Sequence, residues 1–276
     1  MPLKNQVAIV TGASRGIGRA VALKLAEAGA DVVLAAKTVT PDPRLPGTLH
    51  DVAAEVEKLG RRALVVRTNV REESDLENLV SETMKTFHRV DILVNNAGAL
   101  WWYPVAQTPA KKFDLVMEVN VRASFILSHL VAPIMMQRKS GNIINMSPPI
   151  DFSVLANRVA YMISKFGMTM LAQGLAEELK PYGVNVNALW PKTIIESQAS
   201  INFGLGDRSL WRKADIMADA VVEIVKQRGK YQGQSLIDEQ VLRDAGMTDF
   251  SQYACVPGAE PMELTWNMEA GKSPNQ

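Results

Sequence analysis

VAIVTGASRGIG occupies residues 7–18, close to the start of the chain. Its first four residues form a short β-branched apolar run, which is typical of a fully buried strand. The glycines that follow predict a tight turn, and a helical pattern then runs through Ala20 to Ala28 before a second apolar run, DVVLAA, at 31–36. Two buried strands joined by a helix form a βαβ unit with parallel strands. This stretch therefore predicts an α/β fold.

The same alternation of strand and helix continues along the chain. Further strands are predicted at 63–69, 91–97, 141–147, 184–190 and 234–238, and helices at 48–59, 72–87, 110–138, 157–180 and 214–228. We expect one domain over residues 1–276, a doubly wound, Rossmann-type parallel sheet of about seven strands flanked by helices, with ligands at the carboxyl ends of the strands. A proline-bearing insertion at 38–48 is expected to be a loop, and the tail at 257–276 a surface-draped end.

Composition fits this fold and excludes several classes of protein. A chain of 276 residues with 47% hydrophobic content can bury a large core, and its net charge of +1 without a basic block argues against nucleic acid as a partner. The single cysteine, Cys255, is expected to be a buried apolar filler. His50, His88 and His129 lack ligand spacing, so we expect no metal. We find neither a signal peptide nor a stretch that we expect to span a bilayer, and we expect a cytoplasmic protein.

The glycine turn at residues 11–18 is the first candidate binding site. Glycines let the backbone approach a phosphate closely, and a helix N-terminus offers unpaired N–H groups and a positive dipole end to an anion. The spacing G-x-x-x-G-x-G differs from the dinucleotide fingerprint G-x-G-x-x-G. A plain tight turn is the competing interpretation, but the position between a strand and a helix favours a nucleotide cofactor.

Tyr161 and Lys165 form the second candidate site. Four residues apart, they share one face of a helix. A cation held close to a phenol favours the phenolate and lowers its pKa, so this pair could exchange a proton near neutral pH. Taken alone, the spacing more often means a half-buried tyrosine beside a solvated lysine.

Five features together resemble the short-chain dehydrogenase/reductase family in its classical form. They are TGASRGIG at 11–18, NNAG at 95–98, Asn120, Ser147 and Y-x-x-x-K at 161–165. The resemblance covers roughly residues 5–240. AAKT at 35–38, SPP at 147–149 and ALWPKT at 188–193 are further similar to the hydroxysteroid dehydrogenase-like branch. Some members of that branch carry an appended sterol-carrier domain, which we do not expect here.

The resemblance implies a role for each residue of the set. Tyr161 would exchange a proton with a carbonyl or alcohol, while Lys165 would lower the pKa of Tyr161 and hold the nicotinamide ribose. Ser147 would hydrogen-bond the substrate oxygen, and Asn120 would anchor a water that links Lys165 to solvent. The other positions implied at the cofactor are Gly12, Ala13, Ser14, Arg15, Gly16, Ile17, Gly18, Lys37, Asn69, Val70, Asn95, Ala97, Pro191, Thr193 and Ile194.

The end of the second strand predicts which dinucleotide binds. An NAD site usually has an acidic residue there for the ribose 2′-OH, and such a carboxylate would repel a 2′-phosphate. Here the strand ends in Ala35-Ala36-Lys37, with no acid and one base, and Arg15 could add a second cation. We therefore predict NADP(H), the alternative being that Lys37 is a solvated loop lysine.

Apolar segments are expected beside the nicotinamide, at 100–103, 150–155, Trp190 and a substrate loop at 194–213. An apolar pocket suits a small lipophilic carbonyl or alcohol, although core or subunit-interface roles for these residues stay equally open. After the sixth strand, Pro191-Lys192-Thr193 replaces the usual Pro-Gly, so this loop lacks the freedom of glycine.

Two other functions remain open beside the oxidoreductase. One is a catalytically inactive NADP(H)-binding sensor or lipid-binding protein, and the other is an epimerase or dehydratase with the same Tyr/Lys pair. The helices at 110–138 and 157–180 resemble the dimerisation helices of the family, which implies a homodimer or homotetramer.

Overall fold

The computed structural model describes residues 1–42 and 45–264. The strands are β1 Val7–Thr11, β2 Asp31–Ala36, β3 Ala63–Arg67, β4 Ile92–Asn95, β5 Gly141–Met146, β6 Val184–Trp190, β7 Ile194–Ile195, β8 Trp211–Arg212 and β9 Ser235–Ile237. The helices are α1 Gly16–Glu27, α2 Leu49–Lys58, α3 Glu73–Phe87, α4 Ala110–Val116, α5 Ala123–Arg138, α6 Val159–Leu179, α7 Gln198–Asn202, α8 Asp215–Lys226 and α9 Asp238–Asp244.

Seven of these strands form one parallel sheet in the order β3-β2-β1-β4-β5-β6-β9. The central strands are buried on both faces because helices cover both sides, as β1 shows with every residue buried. Helices α1, α2, α8 and α9 pack on one face, and α3, α5 and α6 on the other. The strand order reverses between β1 and β4, which opens a crevice at their carboxyl ends.

The α/β sheet predicted from the sequence is confirmed. All seven predicted strands are present, with β3 and β4 two residues shorter at their carboxyl ends than the predicted 63–69 and 91–97. These ends carry the polar residues at which the chain leaves the sheet toward the crevice.

The helix predicted at 110–138 is interrupted. Residues Met117–Arg122 form a π-helical turn between α4 and α5, and the Ala123 N–H donates to the Glu118 carbonyl five residues earlier. Periodicity could not show this interruption because the apolar pattern continues through it. The turn carries Asn120, and π-bulges are frequent at functional sites.

Four short elements were not predicted at all. Two-residue strands β7 and β8 pair in parallel, with Ile194 opposite Trp211, and α7 lies between them within the substrate loop at 194–213. Helix α9 begins directly after β9. Elements this short contain too few residues for a periodic signal.

The described parts of the two irregular segments are hydrogen-bonded to neighbouring parts of the fold. The insertion at 38–48 ends at Thr48, which caps α2 through a reciprocal hydrogen-bond pair with Asp51. In the described part of the 257–276 tail, the Leu264 N–H donates to the Lys192 carbonyl; residues 265–276 lie outside the described residues. Cys255 is buried, as expected.

One helical stretch of the described chain, Ala110–Arg138, is long and apolar enough to cross a membrane by length and composition alone. It spans α4, the π-turn and α5. In the structure α5 turns Leu127, Val131 and Met135 toward the core of the sheet. Core helices of this kind pass the same length and composition test.

Thr11 joins the glycine turn to the loop after β4. Its buried hydroxyl accepts hydrogen bonds from the N–H groups of Asn96 (3.0 Å) and Ala97 (2.9 Å) and donates to the Val94 carbonyl (3.3 Å). The Asn96 side chain returns a hydrogen bond to the Thr11 carbonyl at 2.8 Å. One side chain thus fixes the two loops that face each other across the crevice.

Thr11→Val is expected to lower the free energy of unfolding by about 2 kcal/mol or more, because the isosteric valine leaves two buried N–H groups without their acceptor. Thr83→Val is the matched control. The Thr83 hydroxyl is also buried but only donates to the Leu79 carbonyl within α3, so its loss should cost less than about 1 kcal/mol. Urea denaturation of both variants measures the difference; equal losses would contradict this account of Thr11.

Candidate active site

The side chains expected to carry chemistry gather at the carboxyl edge of the sheet. Lys165, from the second turn of α6, donates to the carbonyl of Met146 at the end of β5, at 2.7 Å. Its Nζ lies 5.6 Å from the ring centre of Trp190, which ends β6. A Cβ built on Gly98, in the loop after β4, would lie 3.7 Å from that Nζ. Lys165 therefore sits where three strands end.

Tyr161 and Lys165 share the inward face of α6, as their spacing predicted. Both are buried, with 8% and 5% of their surfaces exposed, and the Nζ lies 6.0 Å from the centre of the tyrosine ring. The alternative interpretation, a half-buried tyrosine beside a solvated lysine, is therefore wrong, because this amine is nearly removed from water.

Ser147 follows β5 directly and is fully buried. Its N–H donates to the Leu189 carbonyl at 3.1 Å, which fixes the backbone at the end of β6. Its Oγ has no hydrogen-bond partner among residues 1–42 and 45–264. A buried hydroxyl without a partner is costly in a folded protein, so the site is suited to a ligand oxygen at this position.

Asn120 holds the site together from the π-turn. Its side chain accepts from the Ala99 N–H (2.7 Å) and donates to the Ala99 carbonyl (3.0 Å) and to the Ser164 hydroxyl (2.8 Å). Ser164 in turn donates to the Tyr161 carbonyl. The amide thus joins the loop after β4 to the first turns of α6, and the anchoring of a water by Asn120 stays a prediction.

The glycine turn has the features that a dinucleotide requires. Helix α1 begins at Gly16, and the Arg15 side chain does not cap it, so its first N–H groups can face an anion. Gly16 has φ +53°, and a Cβ there would meet only Ser197, at 3.8 Å. Gly18 is needed for packing, because a Cβ on it would overlap the Gly12 carbonyl and push α1 away from the turn. The residues present therefore fit a pyrophosphate.

The cations expected at the 2′-phosphate lie at the same end of the sheet. Lys37 is exposed at the end of β2. Arg15 reaches back to the insertion, where it donates to the carbonyls of Pro46 (3.0 Å) and Gly47 (3.3 Å). Burial lowers the pKa of Arg15, and the nearby Asp42 carboxylate opposes this shift.

The remaining predicted cofactor residues occupy varied positions. Ala13, Ser14, Val70, Thr193 and Ile194 are buried, and Gly12, Ile17 and Pro191 are partly buried. Asn69 sits in the loop after β3, where its N–H donates to Asp75 and its amide to Glu72. The Ala97 N–H is bound to Thr11. The Asn95 side chain donates to that of Asn145, which lies opposite it on β5.

An aromatic wall surrounds Tyr161. The Trp102 ring centre lies 6.1 Å from that of Tyr161 in an edge-on contact, and Phe203 of the substrate loop lies 6.5 Å from Trp102. Leu100, Leu155 and Trp190 pack on the same cluster. Trp101 instead stacks on Tyr103 at 4.4 Å. A cavity of about 370 Å³ shares Trp190 with this wall, and its other lining residues include the charged side chains of Lys192, Glu239 and Glu263.

Comparison with known proteins identifies the family. The sequence profile of a family described as short chain dehydrogenase matches residues 6–202, which is most of the chain. The chain belongs to the short-chain dehydrogenase family. The resemblance seen in its motifs is thereby confirmed, and an oxidoreductase fold with a nicotinamide cofactor follows from membership.

Relatives of this short-chain dehydrogenase include hydroxysteroid dehydrogenase-like protein 2 of Danio rerio, which is 42% identical over 274 residues. That match covers 95% of this chain and 66% of the relative's length, and it supports the predicted branch. A solved short chain dehydrogenase from Mycobacterium thermoresistibile is 36% identical over 99% of this chain and 98% of its own, with a TM-score of 0.89. A metagenomic short-chain oxidoreductase in complex with NADP is 31% identical, with a TM-score of 0.73, over 86% of this chain and 98% of its own.

Burial dominates the ionisation of the tyrosine–lysine pair. Burial raises the pKa of Tyr161 above its usual range, and the nearby Arg158 guanidinium opposes this only in part. Burial also lowers the pKa of Lys165 to about 7. The prediction that Lys165 lowers the tyrosine pKa stays a prediction, because burial governs both shifts and Arg158 is the cation that opposes the shift of Tyr161.

Three residues that contact the candidate site escaped the sequence analysis. Asn96, rather than Asn95, holds the glycine turn. Ser164 connects Asn120 to α6, and buried Arg158 lies 4.9 Å above the Trp102 ring. The NNAG motif contained the first signal, since either asparagine could face the turn. Within residues 1–42 and 45–264, no three His, Cys, Asp or Glu side chains cluster as metal ligands would.

Lys165→Met should reveal the burial of the amine through the pH dependence of stability. The folded pKa of about 7 lies below the unfolded value of about 10.4. The unfolded chain therefore binds more protons between these pH values, and this contribution to the stability of the wild type rises with pH. From pH 7 toward pH 10, the free energy of unfolding of the wild type should rise relative to that of the variant by up to about 1.4 kcal/mol per pH unit.

Urea denaturation at pH 7 and pH 9.5 measures this gain as a difference, so groups common to both proteins cancel. Lys180→Met, at an exposed position on the same side of the sheet, controls for loss of a lysine charge. A difference between wild type and Lys165→Met that stays constant with pH would contradict the burial of a titrating amine.

Proposed function

We propose that the protein is an NADP(H)-dependent oxidoreductase that interconverts a small lipophilic carbonyl compound and its alcohol within one dinucleotide-binding domain. The observation that carries this proposal is the partnerless hydroxyl of Ser147, buried at the sheet edge where Tyr161 and Lys165 are also buried. The glycine turn that fits a pyrophosphate opens on the same edge. A site for an oxygen thus lies beside a site for a dinucleotide.

Each residue of the site has a role in this reaction. Bound nicotinamide supplies or accepts the hydride. Tyr161 gives its phenolic proton to the substrate oxygen during reduction and takes it back during oxidation, while Ser147 donates a hydrogen bond to that oxygen. Lys165 binds the ribose beside the nicotinamide, and its charge favours the phenolate. Asn120 holds α6 in a fixed position relative to the loop after β4.

The choice of NADP(H) rests on charge at the end of β2. Lys37 is exposed there and no carboxylate takes the place that would bind a ribose 2′-OH. Arg15 lies in the adjoining turn, and its contacts to Pro46 and Gly47 hold its guanidinium near the insertion. The similar metagenomic oxidoreductase was solved with NADP.

The proposed substrate class follows from the wall around Tyr161. Trp102, Phe203 and Leu155 offer apolar surface next to the reacting group, and such a wall binds a hydrocarbon skeleton in preference to a charged metabolite. The relative from Danio rerio carries a hydroxysteroid dehydrogenase-like name.

A homodimer or homotetramer is part of the proposal. Phe125 of α5 and Ile163 and Met170 of α6 are 44–63% exposed, although they are large apolar residues. Apolar side chains in such number on two helices favour contact with a second copy. Light scattering of the purified protein measures the mass directly.

A catalytically inactive NADP(H)-binding sensor is the second candidate. One observation favours it: burial raises the pKa of Tyr161 and lowers that of Lys165, and both shifts oppose proton exchange. In a sensor the two residues would only bind the cofactor.

Tyr161→Phe separates the two candidates. We expect the wild type to oxidise NADPH, in preference to NADH, with hydrophobic ketones, and the variant to lose at least about 100-fold in kcat because the proton donor is absent. Phenylalanine keeps the packing against Trp102, so NADPH binding measured by fluorescence should persist.

Tyr253→Phe is the matched control for this assay. Its hydroxyl is also buried but donates to Asp219 at 2.7 Å, away from the glycine turn, so its removal should leave turnover intact. NADPH binding without turnover by the wild type on any ketone tested would support the sensor and refute the enzyme.

A further inference from the structure

Three cations converge on one buried carboxylate beside the candidate active site. Glu239, the second residue of α9, has a side chain only 4% exposed. It pairs with Lys192 Nζ at 3.0 Å, Arg212 Nη1 at 2.7 Å and Arg243 Nη2 at 2.7 Å. Burial raises the pKa of Glu239, but hydrogen bonds from these three cations outweigh it and lower the pKa to about 2. The carboxylate is therefore ionised at neutral pH.

Two of these cations mark the two ends of the substrate loop. Lys192 lies two residues before β7, where the loop begins, and Arg212 closes β8, where it ends. The two strands pair with each other, with Ile195 opposite Arg212. A single carboxylate therefore binds the chain where it enters the loop and where it leaves it. Arg243 differs, because it belongs to α9 itself, four residues after Glu239.

The beginning of the loop is bound by further contacts through Lys192. Its N–H donates to Asp238 at 2.9 Å, and its carbonyl accepts from the Leu264 N–H at 2.7 Å. Its Nζ also pairs with Glu263 at 2.5 Å. Glycine, which usually follows this proline in the family, has no side chain and could form no such ion pair. Lys192 thus attaches the beginning of the loop to α9 at a position where glycine would leave the backbone free.

We infer that Glu239 is a positioning residue that anchors both ends of the substrate loop through Lys192 and Arg212. With both ends fixed, Thr193 and Ile194 keep their positions beside the site. Phe203, carried by the same loop, then meets Trp102 in a constant geometry. That the loop covers a substrate rests on the proposed function, whereas the anchoring of its two ends does not.

Hydrogen exchange of the protein without cofactor tests the anchoring directly. In Glu239→Gln, amides of residues 196–210 should exchange roughly tenfold faster, because Arg212 is left buried without its carboxylate. In Lys192→Gln, exchange should rise roughly threefold, since that lysine is partly exposed and screened. Lys192→Gln also keeps the test open if Glu239→Gln does not fold.

Arg243→Gln is the matched control, because it removes one ion pair from the same carboxylate, while its other contact, with the Phe250 ring, lies outside the substrate loop. Its exchange at 196–210 should equal that of the wild type. Lys192→Arg should restore slow exchange, because it restores the charge. Equal exchange in Lys192→Gln, Glu239→Gln and Arg243→Gln would overturn the inference.

A second measurement connects the anchor to ligand binding. Stopped-flow fluorescence should show NADPH leaving Lys192→Gln roughly threefold faster than Arg243→Gln, with KM raised and kcat less affected. A protein without turnover would contradict the proposed function but leave the exchange result standing. Unchanged exchange with normal turnover would contradict only the anchor.

Discussion

Burial of the Lys165 amine is the constraint on which the site depends. The amine is removed from water at the meeting point of β4, β5 and β6, and the Met146 carbonyl is the oxygen that it holds at 2.7 Å. An ammonium group in so little water is costly, so its charge depends on what else enters the site. Helix α6 must therefore keep a fixed position along the sheet, and buried hydrogen bonds of Asn120 and Asn145 hold it there.

Two sets of contacts fix the position of α6 from opposite sides. Asn120, in the π-turn, binds Ala99 and Ser164, so α6 cannot slide relative to the loop after β4. From within the sheet, Asn145 donates to the Met168 carbonyl at 3.0 Å, one turn beyond Lys165. Thr11 then aligns the loop after β4 with the glycine turn. A dinucleotide site and a proton-transfer site are thereby placed in one crevice by a small number of buried hydrogen bonds.

The sheet could be read from the sequence because its strands are buried on both faces and therefore appear as unbroken β-branched runs, as in VAIV at 7–10. The set of Asn120, Ser147, Tyr161 and Lys165 came from resemblance to the family, because spacing alone did not single these residues out. Three things could not be read from the sequence. The π-turn leaves the apolar pattern unchanged, the direction of the Asn95 side chain depends on its cross-strand partner, and Glu239 meets Lys192 and Arg212 only through the fold. Nor does spacing report burial, which raises the pKa of Tyr161 and lowers that of Lys165.

A crystal structure with NADPH and a lipophilic ketone tests the central claim most directly. The account predicts that the ketone oxygen lies within hydrogen-bond distance, about 2.5–3.2 Å, of both Ser147 Oγ and Tyr161 Oη, with the nicotinamide ribose on Lys165 Nζ. A cofactor bound in the glycine turn whose nicotinamide lies away from these groups, or a ketone held elsewhere, would contradict it.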